Sequence, residues 1–468
     1  MSDLISADFV ARATGGAIVF DGGAEARGVS IDSREINGKE GERPLFAAVK
    51  GERTDGNLYA AKAIENGCAG VLFDGKAGFS EKTGDAFAVR VDDTVRALGS
   101  LAREYIGRFD IPRVCVTGSV GKTTTRGMIS SVLGRKYITH STSGNFNNEL
   151  GLPLTVLGMR QDAGAGVFEL GMGRKGDISY LSEIVRPTVG VITSIGTAHI
   201  EFLGSREAIR DAKLEIRDGM KDGSPLVLNG DEPLLSGIDG AVYCSVTDPD
   251  RDWYAGRAEY VDGGMTFDVF RKGELFFGGA FVPAFGRHIV LDALFAWAVG
   301  DLLGVSGTEI AGGLSSFAGI GQRQKIERHG NVTLIIDCYN ASEESVLASE
   351  RVGRKLAGKG KFITVFGDVL ELGDHSADIH REIGLFSASL CDALVTYGPE
   401  AQNTASAARD AGLSQTVSFG TENGAGEIAD ATVSLIDMNK NNVILFKASH
   451  GMNLGLIADA VRERLAGI

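Results

Sequence analysis

The sequence predicts an α/β protein built on parallel sheets and divided into several domains, and three observations support this class. Short runs of apolar, β-branched residues alternate with helical patterns along the chain. One such run, at 114–117, ends in a glycine turn and a lysine, and a helical pattern follows. The length of 468 residues is also too great for one hydrophobic core, so two to four domains are expected.

The first part of the chain, residues 1–91, is predicted to form a small α/β domain. Short strands are expected at 28–33, 44–48 and 70–73, with a helix over 57–66 between the last two.

Residues 92–318 are expected to form a central domain around the strand at 114–117. Buried β-branched runs predict that its sheet is parallel. The other elements expected here are a helix at 94–106, strands at 166–169 and 189–194, and a helix at 289–303.

Residues 319–468 are expected to form a third, Rossmann-like domain. Strands alternate with helical stretches there, as in a doubly wound sheet. The predicted strands are 332–337, 362–366, 393–396 and 443–447.

Composition excludes several classes of protein. The formal net charge of −14 argues against a general nucleic-acid binder, which needs a basic face. The five cysteines are far apart and form no CxxC pair, which argues against a disulfide framework or a thiolate zinc site. The N-terminus lacks a signal-peptide pattern, and no apolar run approaches the roughly 18 residues of a spanning helix. We therefore expect a cytoplasmic protein without membrane insertion.

The segment from Thr117 to Thr124 has the chemistry of a triphosphate site. Glycines let backbone N–H groups approach phosphate oxygens, the helix N-terminus adds positive potential, and a lysine adds a full charge. The first glycine of the long P-loop pattern is replaced by Val116, and the alternative is a plain strand–turn–helix. The residues expected to bind ATP or GTP are Thr117, Gly118, Ser119, Val120, Gly121, Lys122, Thr123 and Thr124.

Several further polar residues each allow a functional and a structural interpretation. Glu169 follows a buried strand, where it could hold Mg²⁺ or be an ordinary strand-end carboxylate. His199 follows another strand and could ligate a metal or be structural, and Lys213 lies in a helical pattern that by itself favours a solvated lysine. The amides at 144–148 could orient a substrate or form turns, and Asp337 could contact a nucleotide or end a strand.

These motifs, in this order, resemble the Mur ligase family over nearly the whole chain. The N-terminal block is similar to a UDP-sugar-binding domain of that family, and the Thr-Gly-x-x-Gly-Lys-Thr-Thr pattern is intact. The matching segments are 31–34, 45–48, 51–52, 55–56, 117–124, 144–148, 151–153, 169–172, 198–204, 212–216, Arg323, 337–341, 366–373 and His380.

The resemblance implies an ATP-dependent carboxylate–amine ligase of peptidoglycan precursor synthesis. Such an enzyme joins D-alanyl-D-alanine to a UDP-N-acetylmuramoyl-tripeptide through an acyl phosphate, and lysine or diaminopimelate remains open as the third residue of the peptide. Its partners are small molecules, neither nucleic acid nor membrane is involved, and a monomer is expected.

The resemblance also implies a role for individual residues. Lys122 would hold the phosphates, Thr123 and Glu169 would hold one Mg²⁺, and His199 with a carbamylated Lys213 would hold a second Mg²⁺. Lys122, Glu169, His199 and Lys213 are thus the expected catalytic residues. Further nucleotide-binding residues would be Asn147, Asn148, Arg323, Asp337, Tyr339 and Asn340, and substrate-binding residues would be Ser33, Arg34 and Asn145.

Three departures from the family pattern concern the nucleotide base and the second substrate. The common Tyr-Asn-Ala-Asn-Pro has Ser342 and Glu343 at its last two positions. The usual His-Asn is His288-Ile289 here, and a later asparagine, which contacts adenine in the family, is Asp292. The usual C-terminal arginine is His450, which lacks a permanent bidentate charge.

Three alternatives to this function stay open on the sequence. One is a paralogue with another acceptor, such as a dipeptide ending in D-lactate or D-serine. Another is a non-catalytic nucleotide-binding or scaffold homologue, against which the intact Lys122, Glu169, His199 and Lys213 argue. The last is a folylpolyglutamate synthetase-like ligase, against which the N-terminal UDP-sugar block argues.

Overall fold

The computed structural model describes residues 4–38, 43–79 and 83–467, and its strands and helices alternate along most of the chain. The strands are β1 Leu4–Ile5, β2 Ala17–Asp21, β3 Ala26–Arg27, β4 Val29–Ser30, β5 Leu45–Ala47, β6 Gly70–Phe73, β7 Phe87–Arg90, β8 Arg113–Thr117, β9 Thr139–Ser141, β10 Ala165–Glu169, β11 Val189–Ile192, β12 Leu226–Asn229, β13 Ala241–Ser245, β14 Trp253–Val261, β15 Gly264–Arg271, β16 Glu274–Val282, β17 Lys325–His329, β18 Val332–Ile336, β19 Lys361–Gly367, β20 Ala393–Tyr397, β21 Thr416–Phe419 and β22 Asn442–Lys447.

The helices fall between these strands. The α-helices are α1 Ala7–Thr14, α2 Ala60–Glu65, α3 Thr94–Ile106, α4 Lys122–Leu133, α5 Gly151–Leu157, α6 Asp177–Val185, α7 Ile200–Leu203, α8 Arg206–Leu214, α9 Arg287–Leu302, α10 Gly307–Ser315, α11 Glu343–Ala357, α12 Ser376–Leu390, α13 Ala401–Asp410, α14 Ala425–Ser434 and α15 Gly455–Leu465. Short 3₁₀ turns occur at Gly56–Tyr59, Glu215–Gly219, Pro233–Leu235, Gly373–His375 and His450–Met452. The α/β class predicted from the sequence is confirmed.

The chain divides into two compact units, each of which is described by itself. The first unit consists of residues 1–117, 136–191 and 214–226, and the second consists of residues 118–135, 192–213 and 227–468, within the described ranges.

In the first unit, a five-stranded sheet has the order β2-β7-β6-β5-β4 and is parallel except for β2. Its core forms between β-sheet side chains such as Phe46 and Val71 and the small residues of α2, Ala60 and Ala63. The strand expected at 28–33 ends early, at Ser30. The cause is a turn in which the Asp32 carboxylate accepts the backbone N–H of Arg34 at 2.9 Å.

The first unit also contains a parallel group in which β10 pairs with β8 on one side and β9 on the other. The register aligns Glu169, the last residue of β10, with Val116 of β8. Every residue of β10 is buried, which explains the apolar run that precedes Glu169.

In the second unit, a six-stranded sheet has the order β17-β18-β22-β19-β20-β21 and is parallel except for β17. Parallel strands need crossover connections, and the helices α11 to α14 supply them. The carboxyl ends of β18 and β22 are adjacent because Ile336 pairs with Phe446. Residues that follow these two strands therefore lie at one edge of the sheet.

A second feature of this unit is an antiparallel group formed by β14, β15 and β16. The sequence analysis did not predict it, although Met265, Phe267 and Val269 of β15 are buried and alternate with Thr266 and Asp268, as in a half-buried strand.

Two further observations concern the described part of the chain. None of its helices is both long and apolar enough to cross a bilayer. The five cysteines are all free and buried.

Candidate nucleotide-binding and catalytic site

The turn between β8 and α4 is shaped by glycines whose neighbours leave no room for a side chain. Gly118 has φ of +150°, and a Cβ added there would lie 1.9 Å from Oγ1 of Thr193. Gly121 has φ of +88°, and a Cβ there would lie 2.8 Å from Oδ1 of Asp292. Such close backbone packing is what a phosphate-binding turn requires.

Hydrogen bonds within the second unit hold this turn in place. Ser194 Oγ accepts the N–H of Val120 at 2.9 Å, and Ser119 Oγ accepts the N–H of Gly196 at 2.8 Å. The ammonium of Lys122 donates to the carbonyl oxygens of Gly118 at 2.8 Å and Ser119 at 3.3 Å. The lysine is thus folded over its own loop, where its charge faces the space that a phosphate would take.

A cavity of about 910 Å³ opens beside this turn, within the second unit. Its size suits a nucleotide. Its polar lining includes Ser119, Lys122, Thr123, Thr124, Asn229, Asp292, Arg323, Asp337, Tyr339, Asn340 and Lys447. Arg323, Asp337, Tyr339 and Asn340, which the resemblance singled out, therefore lie around the same cavity as the P-loop residues.

Asp292 is the most unusual of the lining residues. Its side chain is buried, and Thr125 Oγ1 donates to its Oδ1 at 2.9 Å. Burial raises the pKa of Asp292 to about 8, against the lowering effects of the Thr125 hydroxyl and the Arg323 charge. At neutral pH this residue is mainly a neutral carboxylic acid, which can donate as well as accept a hydrogen bond, as the family's asparagine can.

The opposite wall of the cavity is organised around Asp337 and Lys447, which follow or end adjacent strands. Lys447 Nζ lies 3.0 Å from Oδ2 of Asp337 and donates to the carbonyl of Asn340 at 2.8 Å. The Arg323 guanidinium lies 4.3 Å from the Tyr339 ring centroid, and the His450 ring lies 5.4 Å from the same ring. The sequence placed Lys447 only at the end of a predicted strand and gave no sign of its buried ion pair with Asp337.

The strand-end carboxylate of Glu169 is held inside the first unit. Glu169 is only 2% exposed, its backbone N–H donates to Thr142 Oγ1 at 3.0 Å, and its Oε1 accepts from Asn147 Nδ2 at 2.9 Å. Asn148 Oδ1 accepts the N–H of Gly151 at 2.8 Å and so closes the turn that begins α5. The carbonyl of Asn145 accepts the N–H of Asn147 at 2.7 Å. The amide loop therefore orients Glu169 as well as forming turns.

Lys213, near the end of α8, is 1% exposed. Burial lowers its pKa well below the usual value, and the charge of Lys122 lowers it further. Burial likewise lowers the pKa of His199, with the Glu371 carboxylate opposing and the charges of Lys122 and Lys213 assisting. The structure thus brings Lys122, His199 and Lys213 within electrostatic range of one another.

The residues expected to bind the UDP-sugar lie in the first unit, in the turn after β4. Asn66 Nδ2 donates to the carbonyl of Ser33 at 3.0 Å. Arg34 is 88% exposed and pairs with Asp32 at 2.6 Å. The hydrogen bond from Arg34 lowers the pKa of Asp32 to about 2, so this carboxylate is charged at neutral pH.

Mg²⁺ prefers hard oxygen ligands in proteins. Among residues 4–38, 43–79 and 83–467, no three His, Cys, Asp or Glu side chains form a cluster suited to a metal ion. The hydroxyl of Thr123 and the carboxylate of Glu169 are each oxygen donors of the kind that this cation prefers.

A glycine turn, a lysine at the head of a helix and a nucleotide-sized cavity define an α/β nucleotide-binding protein. Residues 116–300 match the Mur ligase middle domain, and residues 323–450 match the Mur ligase, glutamate ligase domain. The chain is 37% identical to UDP-N-acetylmuramoyl-tripeptide–D-alanyl-D-alanine ligase of Bacillus subtilis, over 94% of each sequence. The chain belongs to the Mur ligase family.

Solved structures agree with this assignment. MurF from Acinetobacter baumannii superimposes with a TM-score of 0.87 at 29% identity and covers 98% of this chain and 99% of its own. MurF ligase from Thermotoga maritima, determined in complex with ADP, gives a TM-score of 0.82 at 27% identity, with 94% and 98% covered. These matches confirm the Mur ligase architecture predicted from the sequence.

Proposed function

We propose that this chain is an ATP-dependent ligase that adds D-alanyl-D-alanine to UDP-N-acetylmuramoyl-tripeptide. The observation that carries the proposal is the 37% identity, over 94% of the chain, to a ligase of that name. The cavity beside the P-loop supports the ATP-dependent part, because Lys122 and the glycines around it suit a triphosphate. The chemistry belongs to peptidoglycan precursor synthesis.

The reaction has two steps. The terminal carboxylate of the UDP-muramoyl peptide attacks the γ-phosphorus of ATP, which forms an acyl phosphate and releases ADP. The amine of the dipeptide then attacks the activated carbonyl carbon, which forms the amide, releases phosphate and gives up a proton. The first step brings two anionic groups together, and the second expels anionic phosphate after attack by a neutral amine. Positioning and charge neutralisation therefore supply most of the acceleration.

The roles of individual residues follow the family resemblance and the geometry of each residue. Lys122 binds the phosphates, and Thr123 and Glu169 are assigned to one Mg²⁺. His199 and the carbamate of Lys213 are assigned to a second Mg²⁺. When bound, these cations supply positive charge at the transferred phosphoryl group.

The carbamate on Lys213 has independent physical support. Only a neutral amine attacks CO₂, and burial lowers the pKa of Lys213 well below its usual value, which increases the neutral fraction. A carbamate then converts a costly buried cation into an anion that a metal can neutralise.

The remaining assignments complete the proposal. Residues 1–91, 92–318 and 319–468 are proposed as the UDP-sugar, ATP and ligase domains, with Ser33, Arg34 and Asn145 on the UDP-muramoyl peptide. Asn147, Asn148, Arg323, Asp337, Tyr339 and Asn340 are proposed as nucleotide contacts. Five buried free thiols suit the reducing cytoplasm, which we propose as the location of a monomeric enzyme.

The test is phosphate release by purified protein with Mg²⁺-ATP, UDP-muramoyl-tripeptide and D-alanyl-D-alanine, each omitted in turn. Release that needs all three, with a product heavier by the dipeptide, is the expected result. Lys122→Ala is expected to abolish it, and Lys359→Ala, an exposed lysine, serves as the matched control.

The acceptor is tested in the same assay with a panel of amino acids, dipeptides and depsipeptides. A preference for an acceptor other than D-alanyl-D-alanine would contradict the proposed substrate and assign the changes at Ser342 and His450 to acceptor choice. Tight ATP binding without release on any acceptor would contradict a ligase altogether.

A further inference from the structure

His199 and Glu371 share an unusual backbone conformation and meet side chain to side chain. Both are non-glycine residues in the left-handed region, with φ of 66° and 62°. Nδ1 of His199 lies 2.9 Å from Oε2 of Glu371. Left-handed backbone costs an ordinary residue roughly 1–2 kcal/mol, and such strain persists only where surrounding contacts hold it. Contacts around each of the two residues therefore hold them in this conformation.

A second carboxylate holds the turn that precedes His199. Oε1 of Glu344 accepts the backbone N–H of Thr197 at 2.9 Å. A Cβ added at Gly196 would lie 2.7 Å from the carboxyl carbon of Glu344, so a side chain there would displace this carboxylate. The Glu344 carboxylate thus binds directly to the backbone of the turn between β11 and α7.

A third contact joins the same two regions of the chain. Gly373 has φ of +52°, and a Cβ there would lie 2.9 Å from Cγ of Glu201, the second residue of α7. Residues 196–201 are thus contacted by the start of α11, through Glu344, and by the loop after β19, through Glu371 and Gly373. Both of these segments belong to the glutamate ligase domain match at 323–450.

We propose that Glu344 and Glu371 form a carboxylate clamp whose role is to position His199 for the ligase reaction. Glu344 fixes the backbone of the turn, and Glu371 fixes the imidazole. Because a carboxylate only accepts, Nδ1 must carry the proton, which leaves Nε2 of the neutral ring with its lone pair available as a ligand. The role in catalysis rests on the proposed function, whereas the positioning of the turn does not.

The exposure of Glu371 indicates that the clamp orients His199 rather than stabilising the folded protein. The Glu371 side chain is 56% exposed and that of His199 is 27% exposed. Ion pairs this open to water contribute little to folding. Loss of Glu371 should therefore leave the unfolding temperature nearly unchanged, whereas a buried stabilising pair would not.

The kinetic test compares Glu371→Ala with Glu371→Gln. Removing a group that orients a ligating histidine typically costs roughly 10- to 100-fold, and we expect that loss in kcat with KM for ATP changed little. The glutamine oxygen still accepts from Nδ1, so Glu371→Gln should recover most of the activity. Glu274→Ala, an exposed carboxylate on β16, is the matched control.

The structural test is hydrogen exchange on the complete protein, read from peptides covering 195–204. Glu344→Ala should accelerate exchange there, because the N–H of Thr197 loses its acceptor, and Glu344→Gln should restore protection. Glu274→Ala should leave the segment unchanged.

The outcomes separate the clamp from the ligase proposal. Wild-type kcat in Glu371→Ala, equal loss in the alanine and glutamine variants, or unchanged exchange in Glu344→Ala would each overturn the clamp. An inactive wild-type protein would overturn the ligase proposal instead, and the exchange measurement would then decide on its own whether the carboxylates hold the turn.

Discussion

Burial sets the ionisation of the residues at the centre of the site, and it does so in opposite directions for acids and bases. Lys213 loses its proton more readily because an isolated cation is costly in the interior. Asp292 keeps its proton up to about pH 8 for the same reason. The sequence pointed to both positions, but it does not show how deeply either side chain is buried. The helical pattern around Lys213 therefore favoured a solvated lysine.

The proposed carbamate on Lys213 leads to a prediction at the scale of one residue. Lys213→Ala should lower turnover by about 100-fold or more, since in the proposal it removes an anion that supports a metal beside the transferred phosphate. Short carboxylic acids should restore part of the rate by occupying the vacated space. The measurement is phosphate release with and without added acid.

Exposed Lys221→Ala is the control for that experiment and should respond to neither change. An untreated Lys213→Ala enzyme that turns over at the wild-type rate would remove the carbamate from the mechanism.

At the scale of single elements, the turn between β8 and α4 depends on backbone proximity. Gly118→Ala would put a methyl group 1.9 Å from Thr193 Oγ1. Such overpacking typically costs 1–3 kcal/mol, so ATP affinity should fall by about 10- to 100-fold. Calorimetric titration with ATP measures this loss.

Gly223→Ala is the control that distinguishes the effect of this steric clash from the effect of backbone strain. Gly223 also has positive φ, at +79°, but a Cβ there meets nothing within 4 Å. We expect a loss of stability of roughly 1–2 kcal/mol and unchanged ATP affinity. Equal ATP affinity in both variants would show that the turn tolerates a side chain.

A buried acid between α11 and α12 gives a second prediction at this scale. Glu350 is fully buried, and Ser387 Oγ donates to its Oε1 at 2.7 Å. Burial raises the pKa of Glu350 to about 7, against the lowering effect of the Ser387 hydrogen bond. The folded protein therefore holds this proton more tightly than the unfolded chain, whose glutamate titrates near 4.5.

Through Glu350, a rise in pH lowers the stability of the folded protein. The contribution of Glu350 to the free energy of unfolding is fully present below about pH 4.5 and is lost as pH rises to about 7, a change on the order of 3 kcal/mol. Glu350→Gln should flatten the pH dependence of stability in this range, measured by urea unfolding. Exposed Glu382→Gln should leave that dependence as it is; parallel wild-type and Glu350→Gln curves would contradict the shift.

At the scale of the whole molecule, the sequence predicted local elements well and long-range pairing poorly. The strand at 70–73 and the helix at 94–106 were confirmed at both ends, because uninterrupted burial and an aspartate N-cap mark them locally. The strand β16 was missed because its apolar residues do not alternate with polar ones and two glycines, Gly278 and Gly279, interrupt them. The pairing of His199 with Glu371 joins residues far apart in sequence, and no local pattern announces it.

The cavity residues belong to the second unit, and Ser33 and Arg34 belong to the first. Each substrate should therefore protect a different part of the chain from hydrogen exchange. ATP alone should reduce hydrogen exchange at 118–124 and 337–342, which line the cavity, and leave 28–38 unchanged. UDP-muramoyl-tripeptide should protect 28–38, where Ser33 and Arg34 lie. Protection of 28–38 by ATP alone would contradict the assignment of that turn to the UDP-sugar.

The burial of all five cysteines has a practical consequence. Burial raises the pKa of Cys68 to about 12 and that of Cys244 well above its usual value, so little thiolate forms at neutral pH. Maleimide reagents should leave the native chain unmodified. A single introduced cysteine, for example Lys359→Cys, could then be labelled with a fluorophore without removal of any native thiol. The fluorescence of that label would report conformational change during turnover.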